Sequence, residues 1–373
     1  MKLNLTKSFL AILFATSFLY SGFAQSDTPI EGTRAIEFPD IPGYVTLKCD
    51  LHMHTVFSDG SVWPDIRVQE AVRDGLDAIA ITDHIEYQPK KNDIPHTDRN
   101  RGYELALESA KETGLLVINS TEITRSMPTG HFNAIFVKDV NKLDQKDVVE
   151  VFREAKQQGA FVFWNHPHWT AQKPDGVAAL TQMHKDLLAE GLFAGIEVYN
   201  HTTYSDEALE IASEHKLTIM GNSDMHNLID WGYNVPEGGH RPVTLVFATE
   251  KSVAAMQNAL EERRTAVWFE NTLVGDSQYL TPMVEQSLEV TRAGKGPVPS
   301  VLIHNHSDAD YILENLSEFR LHNQAKVFIL KAHESTTIQV KTVETLDSFE
   351  LRFSVLNAFS TPDTHPEIKL VVE

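Results

Sequence analysis

The amino-acid sequence predicts an α/β chain: a closed barrel of alternating strands and helices, followed by a small all-β sandwich. Three observations carry that reading. From about residue 44 to 270, short and nearly continuous apolar runs alternate with helically spaced segments, as expected for strands buried on both faces of a parallel sheet. So many βα units in one stretch favour a closed barrel over an open sheet. From about Asp276 the character changes to short β-like segments with no long helical pattern between them. The expected divisions are 43–275 for the barrel, 276–373 for the sandwich, and 25–42 for an extended lead-in containing Ser, Thr, Pro and Gly.

The opening strand is the apolar run entering Lys48-Cys49-Asp50-Leu51-His52-Met53-His54. Side chains two apart in a strand share a face, so His52 and His54 point the same way at its exit. The turn Ser58-Asp59-Gly60 brings a carboxylate back nearby. A helix is expected from Trp63 to Gly75, with Ile66, Val68, Ala71 and Val72 on one face. Asp77 to His84 reads as a buried strand ending in Thr82-Asp83-His84, and a helix follows from about Arg99 to Thr113. Leu115 to Asn119 is a strand leading to Glu122, and Gly130 opens another from His131 to Val137. Then come helix 148–158, a strand ending in Asn165-His166-Pro167, helix 177–190, strand 195–200, helix 205–215, and strand 217–220 ending in Asn222-Ser223-Asp224-Met225-His226. In the tail, 301–306, 319–322, 326–332, 336–343, 349–355 and 368–372 read as strands.

The N-terminus has the form of an export signal: Lys2 and Lys7, an apolar run from Phe9 to Tyr20, and the small residues of Ser21-Gly22-Phe23-Ala24. Residues 1–24 are expected to be a signal peptide cleaved after Ala24, leaving a periplasmic or secreted protein with no membrane association. No cysteine stands at the cleavage point, so a lipoprotein is not expected. The single cysteine, Cys49, excludes an intrachain disulfide and is read as a small buried side chain. Acidic residues outnumber basic ones 52 to 32, a formal charge of −20. Such a surface repels nucleic-acid backbone, so long nucleic acid is not an expected partner. Oligomeric state is not legible.

Barrel enzymes carry their chemistry where strands meet the loops that follow. Here those endings are almost all His, Asp or Glu: His52, His54, Asp59, Asp83, His84, Glu122, His166, Asp224 and His226, with His131 at a strand's start. Imidazole and carboxylate together suit Zn, Mn or Fe, and so many ligands call for two or three divalent ions. His201, at the end of strand 195–200, and His168 are candidate acids for protonating a leaving group. Arg125 is a candidate grip for a phosphoryl oxygen, and Asp83 a candidate for orienting an imidazole. Trp164, Trp169, Trp231 and Tyr233 are candidate pocket walls, although core packing is the commoner fate of Trp. His304-Asn305-His306 repeats the His-x-His spacing without the βα context and is read as a surface strand.

The series His52-x-His54, Ser58-Asp59-Gly60, Thr82-Asp83-His84, Glu122, Gly130-His131, Asn165-His166-Pro167 and Ser223-Asp224-x-His226 resembles the polymerase and histidinol phosphatase (PHP) family over roughly residues 44 to 270. The resemblance implies a distorted (β/α)7 TIM-like barrel with a two- or three-metal site. It implies one metal on His52, His54, Glu122 and Asp224, a second sharing Glu122 with His131 and His166, and a third on Asp59, His84 and His226. Asp59 stands where many relatives carry histidine. Paired cations would lower the pKa of a bridging water to give hydroxide, for in-line hydrolysis of a phosphate ester. The export signal and acidic surface resemble members that cleave small phosphodiesters. A phosphomonoesterase of the histidinol-phosphatase type is the alternative, and a non-catalytic metal- or glycan-binding module is the alternative of another class.

Overall fold

The computed structural model describes residues 35–373. The expected signal peptide, 1–24, and residues 25–34 of the expected lead-in lie outside the described residues. In chain order the elements of the first part are β1 (Val45–Asp50), α1 (Pro64–Arg73), β2 (Ala78–Ile81), α2 (Arg101–Ser109), β3 (Leu116–Thr124), β4 (His131–Ile135), α3 (Val148–Gln158), β5 (Phe161–Trp164), α4 (Gln182–Ala189), β6 (Gly195–Asn200), β7 (Thr203–Tyr204), α5 (Asp206–His215), β8 (Thr218–Asn222), α6 (Ile229–Tyr233), β9 (Val243–Ala248), α7 (Val253–Glu261), β10 (Thr265–Phe269), β11 (Thr272–Gly275) and α8 (Ser277–Ser287). Among the described residues no helix is long and apolar enough to cross a membrane.

The apolar runs become strands because both their faces are covered. Every residue of β2 and of β5 is buried. Several helices are capped by their own side chains, as α3, α4, α5, α7 and α8 are. In α3, the Asp147 side chain accepts from the N–H of Val149 and Glu150, and Gly159 ends the helix at φ 82°, a conformation that costs glycine nothing. Helix α4 begins later than the pattern predicts. The Thr181 hydroxyl accepts from His184 N–H and His184 Nδ1 accepts from Thr181 N–H; this reciprocal cap fixes the start at Gln182.

The strands form one curled sheet in the order β11-β10-β9-β1-β2-β3-β4-β5-β6, with β8 also on β6. Pairs β1–β2, β2–β3, β5–β6 and β6–β8 are parallel. Strand β4 runs antiparallel to both its neighbours. The curl brings β8 back to β1. Near the entry ends β9 and β10 intervene, and threonines make the join: Thr244 Oγ1 with Gly221 N and O, and Thr265 Oγ1 with Ile219 O. At the exit ends β1 and β8 meet directly through a single parallel bridge, Met53 to Met225, with Asp224 N donating to His52 O and His54 N to Met225 O. Arg67 of α1, itself buried, donates to His54 O, Met225 O and Asn227 O, holding both lips of this seam.

The C-terminal part adds β12 (Leu288–Ala293), β13 (Ser300–Asn305), β14 (Tyr311–Asn315), β15 (Arg320–Leu321), β16 (Val327–Leu330), β17 (Ser335–Lys341), β18 (Phe349–Val355), β19 (Ala358–Phe359) and β20 (Glu367–Val372). Two antiparallel sheets, β12-β13-β17-β15 and β16-β14-β18-β20, face each other. Their inner residues alternate with exposed ones, as Phe349, Leu351, Phe353 and Val355 do in β18. Strand β19 leaves this sandwich and pairs with β11 of the large sheet. The sequence pattern left out β12, β14 and helix α8; Pro282 interrupts the helical pattern of α8. His304 lies on β13 against Ser335, and His306 follows the strand against Glu289, in no metal-like grouping among the described residues.

Candidate metal centre

The exits of successive strands deliver the nine ligand candidates to one place. His52 and His54 follow β1 and are fully buried. His84 follows β2 and bridges to Glu122 of β3. His131 is the first residue of β4; because β4 runs antiparallel, its start lies at the same end as its neighbours' exits. His166 follows β5, and Asp224 and His226 follow β8. Both His166 (φ 28°) and Asp224 (φ 49°) adopt left-handed backbone, the kind of local strain that collects at functional sites. Asp59 is brought in by the turn through Gly60. A Cβ on Gly60 would lie 2.6 Å from His54 C and 2.7 Å from Thr55 N, so only glycine lets this turn close onto the β1 exit. Lys90 Nζ grips the Asp59 and Gly60 carbonyls.

Three groupings result, His52 with His54 and Glu122, Glu122 with His131 and His166, and His54 with Asp59, His84 and His226, the donor atoms of each lying within 4.8 Å of one another. In the first, His52 Nε2 and His54 Nε2 each lie 3.3 Å from Glu122 Oε2, and Asp224 Oδ1 lies 3.2 and 3.1 Å from the same two nitrogens. In the second, Glu122 Oε1 is 2.6 Å from His131 Nδ1 and 3.9 Å from His166 Nε2. In the third, Asp59 Oδ1 is 3.4 Å from His84 Nε2 and 3.2 Å from His226 Nε2. His54 belongs to the third as well, through Nδ1 at 3.9 Å from Asp59 Oδ1. The residues fit divalent cations. His54 Nδ1, Asp59 Oδ1 and Glu122 Oε1 are buried with no partner in hydrogen-bond geometry, an arrangement otherwise costly. The donor set is imidazole nitrogen and carboxylate oxygen alone.

Electrostatics agree. Burial would raise the pKa of Glu122, but His84 and His131 hold it well below the carboxylate range; His52 and His54 do the same for Asp224. Burial depresses His84, yet Glu122 and Asp59 outweigh it and push it up to about 9. His166 is the opposite case: burial holds it at about 4 against the pull of Asp224. The carboxylates are thus ionised and His166 is neutral. A cation reaching His84 must displace a proton, so its binding weakens as pH falls.

The residue that aims the first histidine is Glu197, buried in the middle of β6. Its Oε1 accepts from His52 Nδ1 and Asn222 Nδ2, both at 2.9 Å. Its Oε2 accepts from His166 N–H and Asn200 Nδ2, both at 2.8 Å. Nδ1–H of His52 is thereby fixed, and Nε2 is left to face the ligand cluster. Glutamine at 197 would present an amide donor where four donors already converge. Glu197→Gln is expected to weaken metal affinity about 10–100-fold, read by competition with a chromogenic chelator. Unchanged affinity would mean that His52 is aimed by something else.

The other candidates fall differently. Asp83 does not orient an imidazole: its carboxylate accepts from Thr55 N, Thr55 Oγ1 and Ser58 Oγ at 2.6–2.7 Å and so anchors the loop carrying Asp59. Arg125 does not reach the cluster: its guanidinium pairs with Glu86 at 2.8 Å and donates to Gln145 O and Lys146 O. His168 is engaged with Thr203 Oγ1. His201 does line the cleft above the ligands, a cavity of about 680 Å³, and so do Trp169 and Tyr87. Trp164 is a core residue and Trp231 projects outward, 73% exposed. Tyr233 is buried and packs against His201. Cys49 is buried in the core, as expected. Sequence reasoning passed over Glu197 and Tyr87; for Glu197 the signal was a lone charge inside an apolar strand.

Residues 50–230 match a family model described as the PHP domain, and residues 286–371 one described as an Ig-like domain. Among solved structures, the chain is similar to a two-domain protein from Bacteroides vulgatus containing a predicted PHP-like metal-dependent phosphoesterase: 41% identity, 90% of this chain and 98% of that one covered, TM-score 0.85. It is also similar to a candidate metal-dependent phosphoesterase from Bifidobacterium adolescentis, at 20% identity over 52% of this chain and 90% of that one, TM-score 0.39. A search of curated proteins returned no match.

Proposed function

The chain belongs to the PHP domain family of metal-dependent phosphoesterases, and on that premise we propose that it is an exported phosphodiesterase acting on small substrates. One observation carries the choice of diester: among the described residues, no lysine or arginine side chain lines the cleft over the ligands. A monoester dianion rewards additional cations around its phosphoryl oxygens, whereas a diester carries one charge that the bound metals can balance. Export rests on the N-terminal sequence, and the donor set suits two or three Mn, Zn or Fe ions.

When bound, the divalent ions supply a water of lowered pKa and positive charge for the phosphoryl oxygens. His52, His54 and Glu122, with Asp224 beside them, would hold one, Glu122, His131 and His166 a second, and Asp59, His84 and His226 a third. Glu197 fixes His52 and Asn200, and the buried floor keeps bulk water from the donors. His201, exposed at the cleft wall, supplies a proton from a ring nitrogen to the leaving oxygen as the P–O bond breaks.

After reconstitution with Mn or Zn, kcat/KM for bis-p-nitrophenyl phosphate is expected to exceed that for p-nitrophenyl phosphate by about tenfold or more, a difference of ~1.4 kcal/mol in barrier. EDTA should abolish both activities. The reverse ratio would replace the diester reading with a monoesterase, and inertness toward both compounds would remove the hydrolase reading.

A further inference from the structure

Two half-exposed aromatic rings stand beside the ligand cluster on different loops. Tyr87, in the loop after β2, is 52% exposed; its ring lies 5.9 Å from that of His84, at 72°. Trp169, in the loop after β5, is 45% exposed; its ring lies 5.2 Å from that of His166, at 70°, and 5.6 Å from that of His131. Both line the cavity that holds the ligands. Trp169 is held by a tight turn: its N–H donates to His166 O, and its carbonyl accepts from Gln172 N and Lys173 N. The contrast with Trp164, 1% exposed, separates a ring buried for packing from one left open.

Away from the ligands the wall holds Ala171, Thr124, His201, Thr202 and Thr203, and among the described residues no lysine or arginine. Its amide donors are already engaged: Gln172 Nε2 with Arg125 O at 3.0 Å, and Asn200 Nδ2 with Glu197 at 2.8 Å. What the two open rings offer is flat apolar area next to the ligands, suited to a planar apolar group. We propose that Tyr87 and Trp169 form a binding site for a flat aromatic substituent of the substrate. The natural diester therefore carries an aryl or heteroaryl group next to the scissile phosphate. This inference rests on the phosphoesterase reading above.

The test uses three singly charged probes with a non-hydrolysable P–C bond: the monomethyl esters of phenyl-, cyclohexyl- and methylphosphonate. Binding to the metal-loaded protein is read by calorimetry and by tryptophan fluorescence. The phenyl probe is expected to bind about tenfold more tightly than the methyl probe, and more tightly than the cyclohexyl probe. Trp169→Leu and Tyr87→Leu should each erase several-fold of the phenyl preference without changing the Kd of the methyl probe. A metal titration of each variant checks that His131, His166 and His84 still ligate. Equal affinity for phenyl and methyl, or for phenyl and cyclohexyl, would overturn the aromatic site and leave the phosphoesterase reading standing. Failure of all three probes to bind would overturn both.

Discussion

Glu122→Gln is expected to lower kcat/KM for bis-p-nitrophenyl phosphate by more than about a hundredfold, beyond the range usual for residues that only support a metal ligand, and to reduce bound metal per chain. The reason is its position. One carboxylate oxygen faces His52 and His54, the other His131 and His166. An amide keeps the volume, removes the charge both groupings share, and turns one oxygen into a donor facing an imidazole nitrogen. The fold should persist, because the side chain is isosteric; circular dichroism checks this. A variant that kept its full metal content and its activity would show that Glu122 does not link the two groupings.

The largest effect on stability is expected at Arg241. Its guanidinium is buried between two buried carboxylates: Nη1 lies 3.0 Å from Asp50 Oδ2, and Nη2 2.7 Å from Asp74 Oδ2. Burial alone would depress its pKa, but Asp74 and Asp50 outweigh it and raise it further. Arg241→Met leaves buried Asp50 without a counter-charge and Asp74 with Arg73 alone, and should destabilise the protein by about 3–5 kcal/mol, read by denaturant unfolding of the metal-free protein. Adding Asp74→Asn to that variant should restore part of the loss, since the two sites are directly coupled. Asp50 Oδ1 also accepts from Ser223 N at 3.1 Å, so the single variant should loosen the step that presents Asp224. A loss under about 1 kcal/mol, within the range of an exposed pair, would mean that the three groups are solvated in solution.

Most ligand positions were legible because they are polar endings on apolar runs, and strand exits converge by topology; Asp59, in a turn, and His131, at a strand's start, are the exceptions. What the sequence hid was direction and partnership. The reversal of β4 has a signal in hindsight: only six residues separate Thr124 from His131, too few for a parallel crossover. His131 then lies at the ligand end because its strand starts there. Arg125 was an error of parity. It is three residues past Glu122, and alternation along a strand turns odd offsets to the opposite face. The role expected of Asp83 falls to Glu197, for which none was expected. Adjacency in sequence suggested that Asp83 steadies His84, while the carboxylate that does aim a histidine stands 145 residues from His52, a pairing no local pattern encodes. The decoy at His304 and His306 has the right spacing and no converging elements, which is why spacing alone carries so little.

The seam between β1 and β8 has a mechanical meaning. One lip carries His52 and His54, the other Asp224 and His226, and the backbones of the lips meet through one bridge and the two hydrogen bonds from Asp224 N to His52 O and from His54 N to Met225 O. Arg67 already fastens the backbone carbonyls of both lips from the α1 side. Cations gripped by side chains of both lips would be a second fastening, a rivet through that join. Chelation would then remove a structural tie between β1 and β8 as well as the metals.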